Sequence, residues 1–153
     1  MKNVLYITIG PSGSGKSTMV SQFMKPNTTI VSTDAIRGEL FGDENEQTNG
    51  ALVFAIAKER AHNALLEGKN VVFDATNCIR KYRKQLAVDI KGGLDIETVA
   101  LIKMTPLSVC KERNAKRERK VPEDVIERQY NNFISDFPAS YDGEFDRILF
   151  NYE

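Results

Sequence analysis

The stretch Val4-Leu5-Tyr6-Ile7-Thr8-Ile9-Gly10-Pro11-Ser12-Gly13-Ser14-Gly15-Lys16-Ser17-Thr18 decides how the rest of the chain is read. It opens on a short apolar run that reads as a buried strand. It then passes through a G-x-x-x-x-G-K-S loop. It continues into Thr18-Met19-Val20-Ser21-Gln22-Phe23-Met24, which reads as a helix ended by Pro26. Strand, glycine loop and helix in that order is the context in which such a loop binds phosphate. The glycines let successive N–H groups turn inward around an anion, and the helix N-terminus adds a partial positive charge. On this reading Gly10, Ser12, Gly13, Ser14, Gly15, Lys16, Ser17 and Thr18 form a nucleotide-phosphate site. Lys16 reaches the β- and γ-phosphates and Ser17 ligates Mg2+.

The 153 residues match one ordinary domain, 1–153, without room for a second sizeable core. A formal net charge of zero gives no global field to attract nucleic acid or membrane, so an anionic partner has to be held by local clusters. Cys78 and Cys110 form no C-x-x-C pair and suggest no disulfide framework, which fits a reducing cytoplasm. The N-terminal apolar run is too short for a signal sequence, and no segment is long enough to span a bilayer. No spacing suggests a zinc site or a nucleophilic triad, and the guanine-reading Asn-Lys-x-Asp motif is absent. His62, alone within a helical pattern, reads as structural or exposed.

Strand-like runs recur at Val4–Ile9, Thr29–Ser32, Asn70–Phe73, Glu97–Lys103 and Arg147–Tyr152, the last suited to an edge. Helical patterns separate them. Gly50–Glu67 places Val53, Ile56, Ala57, Ala61, Ala64 and Leu65 on one face and stops at Gly68. Arg80–Lys91 spaces Tyr82, Leu86 and Ile90 by four and closes at Gly92-Gly93. Thr105-Pro106 opens a third helix, with Thr105 as N-cap, and Pro122-Glu123-Asp124 opens a fourth. Phe41–Asn49 is polar and acidic and reads as a loop. Such alternation predicts a three-layer α/β/α fold, its central, mainly parallel sheet of about five strands covered by helices on both faces.

In an open parallel sheet, ligands bind beyond the carboxyl ends of the strands. Asp34 follows the second strand, and Arg37 lies one helical turn on. An Asp near a γ-phosphate accepts the proton of an attacking hydroxyl, and an Arg beside it grips an anionic acceptor. The same Ser32-Thr33-Asp34 run is also a good helix cap. Asp74-Ala75-Thr76-Asn77 follows the third strand, with Asp74 facing Mg2+, its waters or the acceptor, or else forming a turn. Lys111–Lys120 is a basic run where a helical lid, about 111–122, would lie. Its Arg113 and Arg117 share a face if helical and would stabilise the charge of a transferring phosphoryl group. Arg80, Lys81, Arg83 and Lys84 make a second cluster, either a track for a nucleic-acid backbone or an exposed helix start.

Taken together, these segments resemble the kinase domain of the bacteriophage polynucleotide 5′-hydroxyl kinases, within the P-loop kinase superfamily. The resemblance runs from Ile7 to Thr18, through Asp34 with Arg37 and Asp74-Ala75-Thr76-Asn77. It continues through Arg113-Asn114-Ala115-Lys116-Arg117 and Val121-Pro122-Glu123-Asp124-Val125 to Tyr130. It implies a P-loop NTPase fold and transfer of the γ-phosphate of ATP, with Mg2+, to the 5′-hydroxyl end of DNA or RNA. It further implies Asp34 as general base, Arg37 on the acceptor's 3′ phosphate, and Asp74, Thr76 and Asn77 toward the substrate. Arg117 is then the lid arginine, with Arg113 in support and Arg119 as the alternative. The phage enzymes also carry a phosphatase domain for which this chain has no length, so a separate phosphatase or ligase would complete end repair in the cytoplasm (a host's, if phage-encoded). A homo-oligomer is left open. Two other readings stand beside this one: a small-molecule kinase with a nucleoside, sugar or antibiotic acceptor, and a non-catalytic module that binds nucleotide and an RNA end.

Overall fold

Five apolar runs pair into one sheet; the three that lie at its centre bury side chains on both faces, and the two at its edges are mostly half-buried or exposed. A computed structural model describes residues 2–22, 25–43, 49–118, 120–139 and 143–152, with backbone only at 152. The strands are β1 (Val4–Ile9), β2 (Thr28–Ser32), β3 (Asn70–Asp74), β4 (Glu97–Met104) and β5 (Arg147–Tyr152). They lie in the order β2-β3-β1-β4-β5, and every neighbouring pair is parallel. Six helices alternate with them: α1 (Lys16–Ser21), α2 (Thr33–Phe41), α3 (Gly50–Leu66), α4 (Arg80–Lys91), α5 (Leu107–Ala115) and α6 (Glu123–Ser135). This is the three-layer P-loop fold. Phe23 and Met24, expected to end the first helix, lie outside the described residues, as does 44–48 of the expected loop.

The pleat sorts the core. Leu5, Ile7 and Ile9 of β1 join Val71 and Phe73 of β3 against Ala57 and Ala61 of α3, Leu86 of α4 and Phe133 of α6. Val72, Val99 and Leu101, on the other face, pack against Met19 and Val20 of α1. All lie in the buried core. The central position of β1 brings its carboxyl end, and the loop that follows, between the ends of β3 and β4.

Helix α3 buries the face expected of it, with Ile56 packed half-buried at its margin. Gly68, at φ 85°, stops the helix while its N–H donates to the Leu65 carbonyl at 3.0 Å. His62 is structural: its Nδ1 lies 2.7 Å from the carbonyl oxygen of Ile90. A carbonyl only accepts, so Nδ1 carries the proton and ties α3 to the end of α4.

Two sequence expectations are corrected. Thr105 does not cap α5. Pro106 occupies that position, and the Thr105 hydroxyl donates instead to the Ser14 carbonyl at 2.7 Å. In α4, Tyr82 faces solvent and Arg83 points inward with Leu86 and Ile90. The inward stripe thus takes a guanidinium in place of the aromatic ring, because each of its three nitrogens finds an acceptor. Arg83 donates to Glu144 at 2.5 and 3.0 Å, to the Asn77 carbonyl at 2.9 Å and to the Asp136 carbonyl at 2.7 Å. Arg80 is drawn to the same segment, its Nη2 donating to the Phe137 carbonyl at 2.8 Å. Of the basic cluster, Arg83 is thus withdrawn into the protein, while Lys81 and Lys84 face water and Arg80 keeps 39% of its side chain exposed.

Breaking a buried ion pair leaves an uncompensated charge. Arg83→Met is expected to lower unfolding stability by roughly 3–5 kcal/mol, and adding Glu144→Leu is expected to recover most of that loss. Chemical denaturation of the two variants checks it. Equal stability in the single variant and the wild type would contradict the account.

Candidate active site

The loop from Gly10 to Ser17 is held from three sides. The Gly10 N–H donates to the Thr76 carbonyl at 3.0 Å, which ties the start of the loop to the end of β3. Thr8 clamps the same two strands: its hydroxyl donates to the Ala75 carbonyl at 2.6 Å and accepts from the Ala75 N–H at 3.1 Å. On the far side, the Ser14 carbonyl accepts from Thr105 and from Arg113, the latter at 3.0 Å. Gly13 sits at φ 80°, and a Cβ there would lie 2.5 Å from the Cys110 carbonyl oxygen. The position therefore demands glycine twice, for its backbone angle and for its packing. Gly15, at φ 97°, begins α1 with no side-chain cap on the first-turn N–H groups. A glycine loop that leads into a helix whose first-turn N–H groups have no side-chain cap fits a phosphate chain.

A cleft of about 750 Å3 opens over this loop. The loop contributes Ser12, Gly13, Gly15, Lys16 and Ser17; the start of α2 contributes Asp34 and Arg37; the end of β3 contributes Asp74 and Thr76; and Arg113 and Arg117 come from α5 and the turn beyond it. The structure thus brings together most of the residues read from sequence. Four lie elsewhere. Gly10 and Ser14 are buried behind the loop, Thr18 is exposed on α1, and Asn77 turns back at φ 47° with its amide donating to the Thr8 carbonyl at 2.9 Å. Arg119 lies outside the described residues.

The cap of α2 is Ser32, whose hydroxyl accepts the Ala35 N–H at 3.2 Å. Asp34 is thereby left free of capping, and its side chain is 59% exposed. Arg37 donates to it at 3.1 Å through Nη1, while Nε is buried and has no partner among the described residues. The Arg37 side chain is only 9% exposed. A guanidinium that lines the cleft can hold an anion there.

Deeper in the cleft, Lys16 donates to the Pro11 carbonyl at 2.8 Å. Burial pulls its ammonium pKa below the ordinary lysine value, and the Asp74 carboxylate opposes that pull. Burial lifts Asp74 above the usual carboxylate range, and Lys16 opposes it in turn. The Cys78 thiol, pushed up to about 11 by burial, is neutral at physiological pH. The described residues hold no cluster of three or more acidic, His or Cys side chains suited to a metal. The exposed Ser17 hydroxyl, with substrate phosphates and waters, is the donor set Mg2+ accepts.

Two cleft residues, Phe54 and Gln129, carried no sequence signal, whereas Lys120, Val121 and Pro122 fall in the segment expected to border the cleft. Phe54 of α3 lines it and leans on Phe73, their centroids 6.2 Å apart. Lys120, Val121 and Pro122 close one side. Asn114 positions them, pairing with the Val121 backbone in both directions at 2.6 and 2.9 Å. This buried clamp gives a physical reason for the asparagine of the Arg-Asn-x-Lys-Arg segment to stand shortly before Val-Pro, since it holds Val121 against the end of α5. Gln129 of α6 reaches the loop across 117 positions of sequence, its Oε1 accepting the Ser12 N–H at 2.8 Å.

The family model described as an AAA domain matches residues 5–139. An L-seryl-tRNA(Sec) kinase of Methanococcus maripaludis is 28% identical over 142 residues, covering 85% of this chain and 52% of its own length. A chain in the structure of a Pnkp1/Rnl/Hen1 RNA repair complex superposes with a TM-score of 0.76 at 21% identity, over 88% of this chain and 45% of that one. A gluconokinase from Sinorhizobium meliloti 1021 gives 0.60 at 21% identity, over 96% and 81%. The chain thus spans about half the length of the seryl-tRNA kinase and of the repair-complex chain. No helix among the described residues is long and apolar enough to cross a membrane.

The raised pKa of Asp74 has a signed consequence. Above the ordinary value of 3.8, the unfolded chain has lost a proton that the folded protein still holds, so this group's contribution to stability falls as pH rises toward its folded pKa. Asp74→Asn removes that slope. Its stability relative to wild type is expected to grow as pH rises from about 3.8, read from denaturation midpoints. A difference that stays flat with pH would contradict it.

Proposed function

This chain belongs to the AAA-domain family and has a P-loop kinase fold, and from that premise we propose that it is an ATP-dependent polynucleotide 5′-hydroxyl kinase. Residues 1–153 form its kinase domain. The observation that carries the reading is Arg37. Its side chain is nine-tenths buried, lines the cleft one turn from Asp34 and brings a guanidinium charge to an anion bound there. A phosphate on the 3′ side of the acceptor nucleotide supplies that anion, and a neutral nucleoside does not. The sequence resemblance and the likeness to a chain of an RNA repair complex support the same acceptor.

The transfer is a displacement at phosphorus in which position and charge do the catalysis. Asp34 accepts the 5′-hydroxyl proton as the new O5′–P bond forms and the bond from phosphorus to the departing diphosphate oxygen breaks, giving ADP and a 5′-phosphate end. Lys16 and the loop N–H groups take up charge on the donor side. Arg113 and Arg117 add positive charge from the lid. When bound, Mg2+ neutralises charge between the donor phosphates, held on the protein side by Ser17. A 5′-phosphate end suits a ligase.

A small anionic acceptor is the second reading, favoured by the zero net charge and the gluconokinase likeness. It would use the same Asp34 and Arg37.

Asp34→Ala is expected to lower kcat by roughly a hundred- to ten-thousand-fold while leaving ATP affinity unchanged. Loss of ATP binding in the folded variant would contradict its role as base. Arg37→Ala is expected to raise the acceptor KM about ten- to a hundredfold with the donor KM unmoved. An unchanged acceptor KM would remove the residue from the acceptor site. Steady-state kinetics with each substrate varied in turn reads both.

A further inference from the structure

The bond between α6 and the phosphate loop has no part in the mechanism above. Gln129 lines the cleft, and its Oε1 accepts the Ser12 N–H at 2.8 Å. A backbone N–H only donates, so it is the oxygen of the side-chain amide that faces the loop. The neighbouring carbonyl, Pro11, accepts from the Lys16 ammonium. Two adjacent loop residues therefore hold side chains on the two kinds of group that a phosphate chain rearranges. A phosphate oxygen would accept from Ser12 N–H and from Lys16 alike, and it cannot share the Ser12 amide's direction with the Gln129 oxygen.

We infer that Gln129 Oε1 is an internal stand-in for a donor phosphate oxygen, displaced when the donor binds, and that Gln129 thereby sets which ligands the loop accepts. The inference rests on the proposal that the donor is a nucleoside triphosphate held by this loop. An ionised oxygen makes the stronger bond to an N–H, roughly twice that of a neutral amide oxygen, so a phosphate wins the exchange. Every donor nonetheless gives back the Gln129 bond. A ligand that brings no anionic oxygen to Ser12 leaves Gln129 in place.

The test is calorimetric binding of a non-hydrolysable ATP analogue and of inorganic tripolyphosphate to wild type, Gln129→Leu and Gln129→Glu. Leucine removes the acceptor at similar bulk. Glutamate keeps an acceptor for Ser12 and sets a negative charge against the phosphates. The Leu variant is expected to bind both probes roughly two- to tenfold more tightly, and the Glu variant is expected to bind both more weakly than wild type. Affinity unchanged or reduced in the Leu variant, with wild type binding normally, would overturn the stand-in and leave the donor reading intact. Binding by the Leu variant alone would uphold it. Failure of wild type and both variants to bind either probe would remove the donor reading and this inference together.

Discussion

The site depends on holding eight residues of backbone, Gly10 to Ser17, in one curled path. A short loop of this kind lacks a ladder of its own, so the surroundings have to impose its shape and pair its amides, as Thr76 does for Gly10 and Gln129 for Ser12. Here the constraint comes from strand order. With β1 between β3 and β4, the Thr76 carbonyl anchors the loop's first residue, and Thr105 and Arg113 hold its far side through the Ser14 carbonyl. Gly13 packs where any Cβ would meet the Cys110 carbonyl. Moving any of these supports would relax the loop before it disturbed the core.

Charge in the cleft is arranged in two tiers. Lys16 and Asp74 lie deep, each pushed toward its neutral form by burial and each pulled back by the other. Arg37 and Asp34 form the outer tier, with the arginine sunk in the wall and the carboxylate open to solvent. The inner tier suits a polyphosphate that brings its own negative charge. In the proposed reading the outer tier pairs a base with an anion grip, which an acceptor carrying both a hydroxyl and a phosphate requires.

Much of this was legible because it is local. The phosphate loop, the five strands and the α3 face follow from residues within a few positions of one another, and the strand ends pointed to Asp34, Arg37 and Asp74. The unread parts depend on distant pairing. Arg83 looks like a surface residue until Glu144 and two carbonyls from other segments enclose it. Thr105 looks like a cap until the phosphate loop arrives beside it. Gln129 and Phe54 sit on helix faces that periodicity assigns only as inward or outward, and no local pattern shows that these faces meet the cleft. Asn77, read as a substrate residue from its neighbours, is turned by its own positive φ onto the Thr8 carbonyl.

The central claim is that the cleft phosphorylates a 5′-hydroxyl next to a phosphate. The most direct measurement is transfer of a labelled γ-phosphate from ATP, with Mg2+, offered in parallel to a short 5′-hydroxyl oligonucleotide, its 5′-phosphorylated twin, free nucleosides and gluconate. The account predicts label on the 5′-hydroxyl oligonucleotide alone. Label on a nucleoside or on gluconate, or on no acceptor while ATP binds, would contradict it.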